Sequence, residues 1–106
     1  MEILYNDIDP SSPRKPELET GMIPHALAAL ESPAGPQAWA EKAFDGRRGY
    51  VRTLVDQTNP VATQDVWMEK SGVEWDVVTL DAGHCAFISQ PKELARVCFG
   101  FFEKWR

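Results

Sequence analysis

At 106 residues the chain has room for a single domain, one able to bury roughly two thirds of its unfolded surface. A formal net charge of −5, with Arg47, Arg48 and Arg52 as the one basic cluster, argues against a nucleic-acid partner or an anionic membrane surface. No apolar run approaches the length that spans a bilayer, and the opening MEILYNDIDP lacks the basic-then-apolar order of a signal peptide, so a cytoplasmic protein with free thiols is expected.

Residues 1–8 begin apolar, and the chain then changes character. Residues 9–20, DPSSPRKPELET, carry three prolines and read as a loop. A short helix is predicted over 22–31, MIPHALAALE, with Pro24 in its first turn, and a second over 37–44, QAWAEKAF, ended by Asp45-Gly46. The three arginines that follow read as a solvated strand edge.

Residues 50–55, YVRTLV, are β-branched, aromatic and mostly apolar, which predicts a strand buried on both faces. Asn59-Pro60 then suits a helix start, with Asn59 as cap and Pro60 in the first position, and Gly72 suits its left-handed end. Residues 75–80, WDVVTL, predict a second strand. With one helix between them the two strands should be parallel. After Gly83-His84 comes a turn and then the strongest helical pattern, Leu94, Val97, Cys98, Phe101, Phe102 and Trp105 on one apolar stripe.

Two parallel strands with about four helices make an α/β unit that cannot cover its own sheet edges. Self-association as a homodimer, or a partner chain that completes the sheet, is the expected remedy.

Chemistry points to the carboxyl ends of the two strands, where ligands sit in open α/β sheets. Asp56 ends the first strand and His84 lies just past the second, so a parallel pair brings them to one edge. A carboxylate on one ring nitrogen orients a histidine and leaves the other nitrogen for proton transfer. Taken alone, the two residues fit equally a turn aspartate and a turn histidine that satisfy backbone donors. The two cysteines, Cys85 and Cys98, have no C-x-x-C spacing or companion histidine, so no metal or other cofactor is expected. Trp39, Trp67 and Phe87, with Cys85 beside the histidine, are the residues expected to line a substrate pocket, whereas Cys85 as a nucleophile runs against the inertness of buried thiols.

The stretches YVRTLVDQTNPVATQ and VVTLDAGHCAFISQPKELA resemble the C-terminal part of the α/β-hydrolase superfamily, in the branch of small-molecule esterases, plant methylesterases and hydroxynitrile lyases. The carriers are Asp56, Pro60 and Gln64 after the first strand, then Gly83-His84, Phe87-Ile88 and Pro91 with Glu93-Leu94 after the second. LYND and HALAALESP in residues 1–45 resemble that family's lid region, with residues 46–106 as the strand–helix–strand–helix unit. The resemblance implies a partial α/β-hydrolase-type fold in which His84 and Asp56 are the histidine and acid of a catalytic triad. It also implies a modest, largely apolar ester or thioester of secondary metabolism as substrate.

The family's nucleophile is a serine in G-x-S-x-G, and neither that motif nor its oxyanion loop occurs here; the latter would lie upstream of residue 1. Ser11, Ser12, Ser32, Ser71 and Ser89 read as surface or capping residues. Three readings follow. The chain serves hydrolysis with a nucleophile from elsewhere, it uses the pair as a general base for an isomerase, cyclase or lyase reaction, or it is a non-catalytic module that dimerises or binds a partner.

Overall fold

A computed structural model describes residues 3–106; Met1 and Glu2, which open the expected lid-like segment, lie outside the described residues. It is a mixed α/β structure of five α-helices and one two-stranded parallel sheet. In chain order the elements are α1 (Lys15–Thr20), α2 (Leu27–Glu31), β1 (Gly49–Thr53), α3 (Val61–Ser71), β2 (Asp76–Leu80), α4 (Ala86–Ser89) and α5 (Pro91–Lys104). No helix among the described residues is long and apolar enough to cross a membrane.

The N-terminal part departs most from the sequence-based expectation. The proline-rich stretch forms α1, because Pro16 sits in the first turn, where a helix needs no N–H. The helix expected over 22–31 shrinks to Leu27–Glu31, its Ala26 cap still extended, in keeping with the bias of Pro24 and its predecessor toward extended backbone. Residues 37–44 form two short 3-10 turns, Ala38–Ala40 and Lys42–Phe44, broken at an extended Glu41. The guanidinium of Arg48 accounts for the break. It donates to the carbonyl oxygens of Trp39 (2.5 Å) and Glu41 (2.9 Å) and pairs with Asp45 (2.7 Å), so the cation takes Trp39 O and shares Glu41 O with the Phe44 N–H of the second turn (3.0 Å). Arg48 is therefore buried and is not part of the solvated edge expected; Arg47 is exposed, and Arg52 forks onto both carboxylate oxygens of Asp65 at 2.7 Å in an exposed ion pair.

The sheet follows the expected topology. Gly49 to Thr53 pair in register with Asp76 to Leu80. One face, holding Val51 and Val78, packs on α5 through Leu80, Ala82, Ala86, Val97 and Phe101, with Leu94 and Trp105 beside them. The Phe101 ring lies close over Gly49: an added Cβ would lie 2.8 Å from two ring carbons and 3.0 Å from Trp105. Trp105 also donates its indole N–H to Asp76 (2.8 Å), and Lys104 pairs with the same carboxylate, so the end of α5 is tied to the start of β2.

On the opposite face α3 packs against β1, and Trp75 meets the Tyr50 ring edge-on at 6.0 Å. Val77 of β2 stays 46% exposed, as a two-stranded sheet without full cover requires; within 50–55, Leu54 and Val55 are each 44% exposed, so that run is not buried on both faces as predicted. The apolar stripe of α5 is also narrower than expected. Val97 and Phe101 are buried, but Phe102 is 63% exposed, because nothing among the described residues covers that flank. The α3 helix begins one residue late, with Pro60 as its cap and Gly72 in the left-handed conformation at its end. Asn59 is engaged instead with Asp56 and Gln64.

Candidate functional site

The ladder between the strands runs on past their formal ends: Leu54 N–H donates to Leu80 O (3.0 Å) and Val55 N–H to Ala82 O (3.2 Å). The chain then turns on both strands at one level, Asp56 on the first and Gly83-His84 on the second. The imidazole Nδ1 of His84 lies 3.0 Å from Asp56 Oδ2. Two residues 28 positions apart thus meet across neighbouring strands, as the sequence predicted.

Asp56 is the buried partner, its side chain 4% exposed against 30% for His84. Each of its oxygens takes two contacts. Oδ1 accepts the backbone N–H groups of Thr58 (2.9 Å) and Asn59 (2.8 Å), while Oδ2 accepts the Thr53 hydroxyl (3.1 Å) and faces His84. Burial pushes this carboxyl up, but the hydrogen bonds from Asn59, His84 and Thr53, with the charge of the imidazole, outweigh it and hold the group below its ordinary value of 3.8. Facing an ionised Asp56, Nδ1 is placed to donate to the carboxylate, and Nε2 is the ring nitrogen left for proton transfer.

Gln64 holds the acid's strand. Its amide oxygen accepts Thr53 N–H (3.0 Å), and its amide nitrogen donates to Thr53 O (2.9 Å), Thr53 Oγ1 (3.0 Å) and Asn59 O (2.7 Å). A chain of contacts therefore runs Gln64, Thr53, Asp56, His84. In a strand, alternate residues turn their backbone groups to opposite edges. The Arg48 carbonyl and the Leu54 N–H point at β2, so Thr53 points at the outer edge of β1, where the Gln64 amide sits in place of a neighbouring strand.

His84 and Asp56 line a cleft of about 260 Å³ that also takes in Tyr50, Val51 and Thr53 of β1, with Phe87 and Leu94 on its α4–α5 side. The lining is mixed, apolar side chains around a few polar groups, as in small-molecule sites. The Tyr50 phenol is pushed up by burial and by the charges of Asp56 and Asp65, so it stays a neutral hydroxyl.

Of the pocket residues expected from sequence, Phe87 lines this cleft and three do not. Trp39 packs on Trp75 at 5.9 Å near the amino end of the sheet, because the Arg48 contacts hold its backbone there. Trp67 is 50% exposed on the outer side of α3. Cys85 is buried outside the cleft, its thiol pushed up by burial and by the charges of Asp7 and Asp56, which keeps it from acting as a thiolate.

The chain matches no protein-family model, no curated protein and no solved structure. The functional case therefore rests on geometry. Among the described residues, no group of three or more His, Cys, Asp or Glu is placed to hold a metal ion.

Residues near the N-terminus contribute in a way the sequence did not foretell. Asn6 Nδ2 donates to Val55 O (2.7 Å), and Asp7 Oδ2 accepts the Gly83 N–H (2.6 Å) and the Ser89 hydroxyl (2.5 Å). The Asn-Asp pair within LYND was the available signal, but its partners lie 49 to 82 positions away and no local pattern reveals them.

Proposed function

We propose that this protein is an acid/base catalyst of the α/β-hydrolase type acting on a small, largely apolar molecule of ester or thioester class. The observation that carries the proposal is the 3.0 Å contact between His84 Nδ1 and a fully hydrogen-bonded Asp56, in a cleft lined by both. Asp56 orients the ring and stabilises its charged form, and His84 Nε2 takes and returns the proton. In hydrolysis the nucleophile comes from a polypeptide segment other than residues 1–106, and a second copy of the chain extends the sheet. The open outer edges of β1 and β2 and the exposed Val77, Phe99 and Phe102 support that association.

A second reading, a proton-transfer reaction with no nucleophile, is favoured by a specific observation. The serine and the cysteine nearest His84 in sequence are both spent elsewhere: Ser89 donates to Asp7, and the Cys85 thiol is held protonated.

The test uses 5-nitrobenzisoxazole, whose ring opens when a base removes its C3 proton, alongside p-nitrophenyl butyrate. A working pair opens the ring faster than the His84→Ala variant by about 10²-fold, the lower end of general-base effects. Equal rates for the two proteins would reject the catalytic reading and leave a binding module. His84-dependent release of p-nitrophenol with an initial burst would place a nucleophile within this chain.

A further inference from the structure

The sheet ladder brings Asp56 and His84 to one edge, but it stops at Val55 and Ala82 and does not reach either side chain's own residue. Thr53, Thr58 and Asn59 fix Asp56 within its own turn, and the separation of the two turns needs a further tie. We propose that Asn6 and Asp7 are the positioning residues of this pair, a deepening that rests on the acid/base reading above. Asn6 holds the carbonyl of Val55, the residue before Asp56. Asp7 holds the N–H of Gly83, the residue before His84. Two consecutive side chains of one segment thus grip the two turns at matching places.

Asp7 reaches further still. The same oxygen takes the Ser89 hydroxyl, so the carboxylate ties the start of the histidine turn to the end of α4. The turn is held from the other side by Gln90, whose amide donates to Asp81 O (2.5 Å). The fit around Gly83 shows how closely the segment is seated. A Cβ on Gly83 would lie 2.6 Å from Asn6 Oδ1 and from Asp7 Oδ1, a separation that side chains do not tolerate. Those same two oxygens are buried without a hydrogen-bond partner among the described residues. A glycine at 83 is therefore what lets the segment close on the turn, and two unpaired acceptors are the penalty the closure carries.

The consequence is a tautomer. With the turns gripped, His84 Nδ1 faces an ionised carboxylate and carries the ring proton. With the grip lost, the turns relax, the contact opens, and the ring reverts to the Nε2–H form that free neutral histidine prefers. The experiment is nitrogen NMR of the imidazole at about pH 9, well above the ordinary histidine range. The wild-type chain shows the Nδ1–H form. Asp7→Ala and Asn6→Ala move the signal toward Nε2–H while the amide spectrum of α5 stays dispersed. Asp7→Asn keeps an acceptor for Gly83 and Ser89 and sets an amide donor beside the Asn6 oxygen, so it restores the Nδ1–H form. A wild-type tautomer in both alanine variants would overturn the proposal. If Asp7→Ala fails to fold, Asn6→Ala alone decides on the same terms. Asp56→Ala separates the two layers of argument. If that variant also leaves the tautomer unchanged, the acid/base pair itself is wrong; if it alone shifts the tautomer, only the positioning role is.

Discussion

Asp56 accepts four hydrogen bonds while nearly sealed from water, and this ties its ionised form to the folded state. Its folded value lies below 3.8, so just under that pH the unfolded chain binds a proton that the folded chain does not. Stability from this group is complete above the ordinary carboxylate value and drains away as pH falls through the lowered one. Urea unfolding followed across this range should show a steep acid limb in the wild type and a flatter one in Asp56→Asn. Gln64 is a second sensitive position. Gln64→Ala leaves the N–H and C=O of Thr53 without partners, and a loss of about 1–3 kcal/mol is expected from the urea midpoint. Both residues were visible in the sequence, Asp56 as a strand terminus and Gln64 only through a resemblance to a known family. Asn6 and Asp7 were not, because what they do depends on partners most of a chain length away.

At the scale of elements, the C-terminal half was legible and the N-terminal half was not, for a physical reason. The runs YVRTLV and WDVVTL are rich in β-branched and aromatic residues over a strand length, and α5 repeats its apolar residues over three turns, so each pattern is carried by many side chains acting together. The helices of residues 15–44 are one or two turns long, and single residues decide them: Pro16 allows α1, and the Arg48 guanidinium breaks the helix that 37–44 would otherwise form. Aromatic type likewise names a side chain that wants cover without saying which cover it finds, which is why Trp39 and Trp67 lie away from the cleft. The packing of α5 on the sheet gives a sharp test. Gly49→Ala drives a methyl group into the Phe101 ring and Trp105, and it should cost about 1–3 kcal/mol in equilibrium unfolding. An unchanged midpoint would mean that α5 is free to slide.

For the molecule as a whole, a two-stranded sheet and an uncovered flank of α5 leave more apolar surface than one copy needs. Sedimentation equilibrium is expected to give twice the mass of a single chain, with dissociation on dilution; a single-chain mass at all concentrations would remove the second copy from the proposal. The Gln64 amide limits what form such an assembly takes. By standing in for a strand at Thr53, it acts as a stopper on the last rung of the β1 edge. A visiting strand paired at Val51 would meet that stopper one rung later. Because Val51 and Thr53 also line the cleft, a strand added on this edge would crowd the approach to His84, and the outer edge of β2 is the side on which a second copy can add without touching it.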